Sequence, residues 1–450
     1  MDFYKVVLRR ERRETDVAIQ DFATAAAQAP LDLQVVQDDV ERTQNMDSLL
    51  EQQFSLAAGS DIGMQDYRHP IQYNVGGHTG GYQPDGGSYP QGLGPGYSQF
   101  VVAPVPVISS FAATELMQRI SKGGKEVTTI DPVARMVADA KMKHAHARDT
   151  YLQGFNQGVL GTVDATYGGT TVVQMQNVSF GARLLDLGEK YQVTDANMNV
   201  VDTVQVLDVQ KSSIGAGDTV TIDHVPNGMA AGFNFIPTGV TGGQPLWVQG
   251  LQYIVSPSNM GDYDGVDRAT SWVQAPALNA TNGTATLGMV SVFNARQQQA
   301  LGTENWSDGA RDAFWYTHFA QRTTAETLGF AKAMKIIGGD AQDAIDLGND
   351  TDKEWRISGR KVLAESTAAI DKLYSLRKSG LRMVRYPGSQ KFIPFAGSGS
   401  LWWPRMGENG QWLSEFDIMY QDSSNYYGKL PWWNGVIHAL GINPAFADAA

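Results

Sequence analysis

The sequence predicts an α+β fold from three stretches: a long capped helical pattern at 131–158, a glycine- and tyrosine-rich segment at about 67–107, and valine alternation within 168–256. The helix reads DPVARMVADAKMKHAHARDTYLQGFNQG. Asp131 can cap its free amides, Pro132 suits the first helical position, and Gly154 supplies the left-handed residue that commonly closes a helix. Val133, Met136, Val137, Ala140, His144, Ala147, Tyr151 and Leu152 recur at three- and four-residue steps, while Arg135, Asp139, Lys143 and His146 fall elsewhere. One face is expected in the core and one in water, along a rod of roughly 30 Å.

Ahead of the helix, residues 1–57 are charged and helix-prone, and Arg9, Arg10, Arg12 and Arg13 interleave with Glu11 and Glu14. The plain reading is a solvated face laced with ion pairs; the sharper one is an arm lying on a neighbouring subunit or facing nucleic acid. From Tyr67 to Val107, nine glycines from Gly76 to Gly96 alternate with Pro84, Pro90 and Pro95 and with Tyr73, Tyr82, Tyr89 and Tyr97. Flanking segments at His69–Val75 and Gln99–Ile108 read as strands, which makes the whole a two-stranded arm with a glycine-rich tip. An isolated hairpin is marginal in water, so it needs another surface, and the tyrosines offer amphipathic area for one. The alternative is a floppy linker.

Phe111–Ile120 reads as a short helix. In the β-rich stretch, VDTVQVLDVQ and DTVTID alternate and the GAGD turn at 215–218 joins them, with strands continuing through Leu246, Val248, Leu251, Tyr253 and Val255. Residues 286–379 read as helix again, the longest piece running from Ser307 to about Ile337 with Phe314, Trp315, Phe319, Leu328, Ala331 and Met334 on its apolar side. The tail is aromatic, and Asn434-Gly435 reads as a hairpin turn.

Composition excludes several classes. There is no cysteine, hence no disulfide, thiolate metal site or cysteine nucleophile. A net charge of −12 argues against a sequence-independent nucleic-acid binder but suits a container whose wall must not grip DNA. No apolar stretch follows the first charges as in a signal peptide, and no run of about 18 apolar residues crosses a bilayer, so cytoplasmic synthesis is expected.

Catalytic patterns are weak. His144 and His146, two apart, point to different helix faces and suit no zinc pair. Asp262, Asp264 and Asp267 in GDYDGVDR lack the spacing of a calcium loop and suit an aspartate-stabilised turn. Ser375 and Lys378 match S-x-x-K without its companion elements, and SKGGKE at 121–126 is no P-loop. No catalytic residue, metal ligand or cofactor site is expected.

In order, these parts are a charged arm, a projecting hairpin, a long helix, the exit G-x-x-x-G-x-L-G-x-x-D from Gly154 to Asp164, a β-rich unit, and Gly250-Leu251 through Val255 followed by GDYDGVDRATSW. That order resembles the major capsid proteins of tailed bacteriophages, whose HK97-like coat fold encapsulins share. The resemblance implies an N-terminal arm at 1–60, an extended hairpin loop at 61–110, a peripheral domain with its spine helix at 111–165, an inserted β-rich unit at 166–256, and an axial domain returning to the peripheral domain at 257–450. It implies a non-enzymatic, self-assembling shell protein of the virion, built in the host cytoplasm. The partners implied are copies of itself in hexamers and pentamers, portal and scaffolding or decoration proteins, and enclosed double-stranded DNA held without specific binding; no membrane is involved. Tyr73, Tyr82, Tyr89, Tyr97, Arg9, Arg10, Arg12 and Arg13 are the expected inter-subunit contacts. Two other readings are a carbohydrate-binding β-rich protein, using the pairs Trp402, Trp403 and Trp432, Trp433, and a tail or connector component.

Overall fold

The computed structural model describes residues 49–57, 66–79, 92–114, 132–155, 157–176, 180–210, 218–239, 247–257, 261–270, 273–321, 356–358, 360–395, 403–406 and 412–441. In chain order the first elements are β1 (Ser55–Leu56), β2 (Tyr67–Asn74), β3 (Gly96–Val102), β4 (Val105–Thr114) and helix α1 (Pro132–Gln153). Then come β5 (Gly161–Thr162), β6 (Val172–Gln174), β7 (Lys190–Thr194), β8 (Val200–Gln210), β9 (Thr219–Ile222), β10 (Asn234–Pro237), α2 (Leu251–Ile254), β11 (Asp262–Tyr263) and β12 (Val266–Asp267). β13 (Ala277–Asn279), α3 (Leu287–Asp312), β14 (Ala313–Thr317), β15 (Arg356–Ile357), β16 (Arg360–Ala364) and β17 (Leu373–Arg377) follow. The last are β18 (Leu381–Arg385), β19 (Lys391–Phe392), β20 (Trp403–Met406), β21 (Trp412–Gly428) and β22 (Gly435–His438). The described residues fall into two units, one within Pro106–Asp149 and Pro387–Ser423, the other within Leu49–Val105, Thr150–Tyr386 and Ser424–Ala450.

In the first unit, β19 and β20 pair with β21, and α1 meets this sheet where Lys141 lies over the Phe392 ring at 5.8 Å and His144 against Tyr420. The helix ends at Gln153, next to the Gly154 expected to close it. Of the residues expected on the wet face, Asp139 is exposed, Lys143 half-buried and His146 buried, and from His144 onward the helix is closed in, with His146, Arg148 and Asp149 as buried as His144. His144 and Arg148 have partners that a helical wheel cannot reveal. Ser109 Oγ lies 2.7 Å from His144 Nδ1, and the Tyr420 ring meets the imidazole edge-on at 5.0 Å. Arg148 forms a buried ion pair with Asp422, whose carboxylate also accepts from Ser389 Oγ at 3.3 Å and Gln390 Nε2 at 3.2 Å. The expected helix at Phe111–Ile120 is corrected at its start: Phe111–Thr114 is the end of strand β4, which pairs with β21. Backbone pairing to a long strand overrides the local helical preference there.

The second unit contains two six-stranded sheets. One has the order β13-β22-β17-β14-β16-β15, and α3 packs on it through Val290 and Phe293, which cluster with Trp315, Leu373 and Ile437. Thr286 Oγ1 caps α3 by accepting from the Met289 amide at 3.2 Å. The expected helix from Ser307 is corrected at Asp312, where α3 gives way directly to β14, so Phe314 and Trp315 lie in a strand. All five β14 side chains are buried because the strand is central, antiparallel to β17 and parallel to β16. A continuous apolar run is what such a position demands, and its periodicity does not distinguish it from a buried helix. Leu328, Ala331 and Met334 lie outside the described residues. Asn434-Gly435 makes no hairpin turn; Asn434 Oδ1 accepts from the Arg377 amide at 3.0 Å and Gly435 begins β22.

The other sheet, in the order β5-β10-β7-β8-β9-β6, is the valine-rich unit, with Val193, Val204, Val206, Val220, Ile222 and Phe235 in one core. The GAGD turn, but for Asp218, lies outside the described residues. The strand expected through Leu251 and Tyr253 is instead the helical turn α2. Its position explains Gly154, which is not left-handed as expected; the positive φ belongs to Gly158, at 73°. Gly154 is the landing place of Gly250: the Gln252 amide donates to the Gly154 carbonyl at 3.1 Å, and a Cβ on Gly250 would sit 2.0 Å from that oxygen.

Asp422→Ala leaves the Arg148 guanidinium buried without its counter-charge and is expected to cost about 3–5 kcal/mol in urea unfolding. Gly250→Ala is expected to accumulate as insoluble protein, because its obstacle is backbone and cannot rotate away; the measurement is the soluble fraction on expression.

Candidate assembly surface

Strands β2 and β3 form an antiparallel hairpin with Tyr67 opposite Val102, His69 opposite Phe100 and Gln72 opposite Tyr97. The register then slips by one, so that Asn74 faces Gly96 and Tyr73 is the extra residue of a bulge. Its ring covers Gly96, where a Cβ would approach it to 2.6 Å. Beyond the bulge the Gly76 amide donates to Asn74 Oδ1 at 2.9 Å, and the Gly77 amide to the Leu93 carbonyl at 2.7 Å, so the two chains stay together to the edge of the described residues. The strands expected from the flanking segments are therefore present, with a break at Ala103-Pro104 before β4.

The hairpin has two halves of opposite character. Near its root Ile71, Phe100 and Val102 are buried, whereas Tyr73 is 50% exposed, Val75 85%, Leu93 62% and Tyr97 65%. Four large apolar side chains in water on one narrow ribbon is a concentration that scattered surface residues do not produce. Of the expected contact residues, Tyr73 and Tyr97 are on this exposed half; Tyr82, Tyr89, Arg9, Arg10, Arg12 and Arg13 lie outside the described residues.

The root is held by a seat that sequence inspection did not single out as functional. Ile71 and Phe100 cluster with Tyr253 of α2, Tyr263 of β11 and Val273. Tyr253 and Tyr263 stack with centroids 5.3 Å apart, and Phe100 meets Tyr263 edge-on at 4.9 Å. The Arg268 guanidinium carbon lies 4.9 Å from both tyrosine rings, and its Nη2 donates to the Tyr253 carbonyl. Tyr263 Oη donates to the Gly428 carbonyl at 3.1 Å and accepts from the Gly428 amide at 2.7 Å. The Val101 amide donates to the Asp264 carbonyl at 3.0 Å, and Asn425 Nδ2 donates to the Ala103 carbonyl at 2.8 Å. On the other side Val102 joins Ala57, Val384 and Tyr427, with Tyr67 and His69 rings each 5.7 Å from Tyr427. Burial, with Lys429 and Arg382 nearby, keeps His69 below its ordinary pKa. The signal for this seat was GDYDGVDR itself: its aspartates make turns, Asp267 Oδ1 accepting from the Ala269 amide at 2.8 Å, and its arginine is the buried cation.

The other candidate groups are engaged elsewhere. Among the described residues no three histidine or acidic side chains gather as a metal site. Ser375 Oγ is buried in β17 and accepts from Arg360 Nη1 at 2.7 Å. Trp403 Nε1 donates to the Ile393 carbonyl at 2.9 Å, Trp432 packs against the seat, and the Arg377 guanidinium covers Trp433 at 4.3 Å, so these half-buried rings are engaged by the chain's own groups.

No protein-family model matches the chain, and no curated protein matches it. Solved structures do. The capsid asymmetric unit of cyanophage A-1(L) is similar over 90% of this chain and 95% of that one, with 12% identity and a TM-score of 0.50. The capsid of a native GTA particle is similar over 93% of this chain and 98% of that one, at 11% identity and a TM-score of 0.44. An encapsulin complex from Synechococcus elongatus is similar over 89% and 93%, at 7% identity and a TM-score of 0.40.

Tyr263→Phe keeps the ring stack but strands the Gly428 amide and carbonyl, and is expected to lower stability by about 1–3 kcal/mol in urea unfolding. Tyr97→Phe, on the exposed half, is expected to stay within about 0.5 kcal/mol of the parent.

Proposed function

We propose that this chain, which has the strand-rich α+β fold of HK97-like capsid proteins, is a major capsid protein, copies of which build a closed icosahedral shell around phage double-stranded DNA. The observation that carries the reading is the divided hairpin: a root fixed in its own chain and an exposed apolar half for which a neighbouring copy is the fitting cover. Repeated head-to-tail contacts close under symmetry when each subunit presents such a ribbon to the next. Each contact can be weak, because a subunit held at several places gains avidity from the others.

On this reading 1–60 is an arm, 61–110 the extended loop, 111–165 the peripheral domain with α1 as its spine, 166–256 an inserted unit, and 257–450 the axial domain and the return to the peripheral domain. Tyr73, Tyr82, Tyr89 and Tyr97 bear on an adjacent copy, as do Arg9, Arg10, Arg12 and Arg13 of the arm. Hexamers and pentamers of the chain meet a portal and scaffolding or decoration proteins during assembly. The net charge of −12 suits a wall that confines DNA without gripping it.

The test is assembly of the full chain, followed by sedimentation velocity and negative-stain microscopy. Closed shells are expected, and the double variant Tyr73→Asp, Tyr97→Asp is expected to reduce shell yield at least about tenfold while its circular dichroism and melting stay near those of the parent, since both sites are exposed. A protein that remains a small oligomer under every assembly condition, scaffold included, overturns the reading.

A further inference from the structure

Beneath the hairpin root, Gln249 Nε2 donates to Asp264 Oδ1 at 2.5 Å. The remaining atom of each group, Gln249 Oε1 and Asp264 Oδ2, is buried without a hydrogen-bond partner. Both leftovers are acceptors if Asp264 is ionised, so that form of the site has two unmatched oxygens and a charge against the Tyr253 and Tyr263 rings. One proton on Oδ2 removes the defect: the acid donates to Oε1 while the carboxamide donates to Oδ1, and two hydrogen bonds close a ring.

We propose that Asp264 and Gln249 form a single-proton binding site, a carboxylic acid paired with a carboxamide, whose deprotonation loosens β2 and β3 from their seat. The pair is wired to the hairpin through the backbone. The Val101 amide of β3 donates to the Asp264 carbonyl, and Asp264 is held in a left-handed conformation, φ 51°, with its own amide donating to Tyr253 Oη at 3.0 Å.

The surrounding elements do not neutralise an ionised Asp264. From α2, Tyr253 Oη reaches Oδ1 only at 3.5 Å. From β11 and β21, burial first and the Asp264 charge after it raise the pKa of Tyr263 and Tyr427. His69 of β2 stacks on Tyr427 and is itself held toward the neutral form. Arg268 favours the anion through space, but its guanidinium is committed to the Tyr253 carbonyl and two rings. Asp262 and Asp267, on the same turn, are exposed. Burial dominates and pushes the Asp264 carboxyl up to about 7, against the smaller opposing effects of Gln249, Arg268 and Tyr253. The sign follows from a raised carboxyl: the folded root binds a proton that the opened root releases, so its extra stability is complete below the ordinary carboxylate range and is lost as pH rises through about 7.

The test is hydrogen exchange by mass spectrometry on the full chain from pH 5 to 8, corrected for the intrinsic pH dependence of exchange. Peptides covering β2 and β3 are expected to open about tenfold more per pH unit between pH 5 and 7, and then to level off. Asp264→Asn preserves both hydrogen bonds of the ring without a titrating group, and its opening is expected to be independent of pH. Peptides from β7 and β8 in the parent protein serve as an internal reference and are expected to stay flat, which keeps the test decisive if the variant does not fold. Equal slopes in parent and Asp264→Asn, or a β2–β3 slope no steeper than that of β7–β8, overturn the proposal. The outcome does not depend on whether the chain forms shells.

Discussion

The buried guanidinium of Arg268 is the constraint around which the rest of the second unit is arranged. Only 2% exposed, it would be prohibitively placed without compensation, and the compensation comes from several elements at once. Tyr253 of α2 and Tyr263 of β11 supply two ring faces, and the Tyr253 carbonyl accepts its Nη2. Stacking the two tyrosines over one cation fixes the separation of α2 and β11. That fixed wall is what Phe100 packs on edge-to-face, and so the direction in which the hairpin leaves is set by where a positive charge can be tolerated.

That arrangement depends in turn on a contact with no side chains in it. For α2 to present Tyr253, its first turn has to lie against the end of α1, and this is possible because Gly250 and Gly154 touch backbone to backbone. Neither glycine is chosen for a positive φ. The missing Cβ that matters is that of Gly250, ninety-six positions beyond Gly154, and the glycine-rich exit from α1 continues the theme: a Cβ on Gly158 would stand 3.2 Å from the Trp247 side chain and one on Gly161 2.5 Å from that of Met175.

What could be read in the sequence follows from this. The hairpin strands and the valine-rich sheet were legible because alternation is a local signal, written into VDTVQVLDVQ and into the residues flanking the glycine-rich tip. Four other features depend on partners distant in the chain and were read wrongly. LQYI alternates like a strand and is a helical turn, because Gly250 must meet Gly154. AFWYT continues a helical pattern and is a central strand, because β16 and β17 flank it. The polar side of α1 at His146 looks like a water face and is interior, beside an Arg148 that is paired with Asp422, 274 residues on. Asn434-Gly435 has turn chemistry, but its asparagine is taken up by the Arg377 amide, and a Cβ on its glycine would stand 2.5 Å from Phe293. Of the candidate site, the exposed tyrosines were visible as a pattern. The seat beneath them was not, since a buried Arg–Tyr–Asp arrangement looks in sequence like an ordinary acidic turn.

The hairpin thereby shows a division of labour in its stability. At the root Phe100 packs on α2 and β11, the Val101 amide is bonded to the β11–β12 turn and the Ala103 carbonyl to β21, so the orientation of the ribbon is a property of the single chain. In the distal half the strand pairing persists while Tyr73, Val75, Leu93 and Tyr97 stay half-exposed or more, so apolar area is left over for a further surface to cover. A ribbon ordered at one end and unsatisfied at the other loses less conformational freedom on docking than a disordered segment would, because its register and direction are already set. For a shell subunit, the proposed function, this matters more than affinity: contacts that are weak one at a time must still form at one angle if the surface is to close.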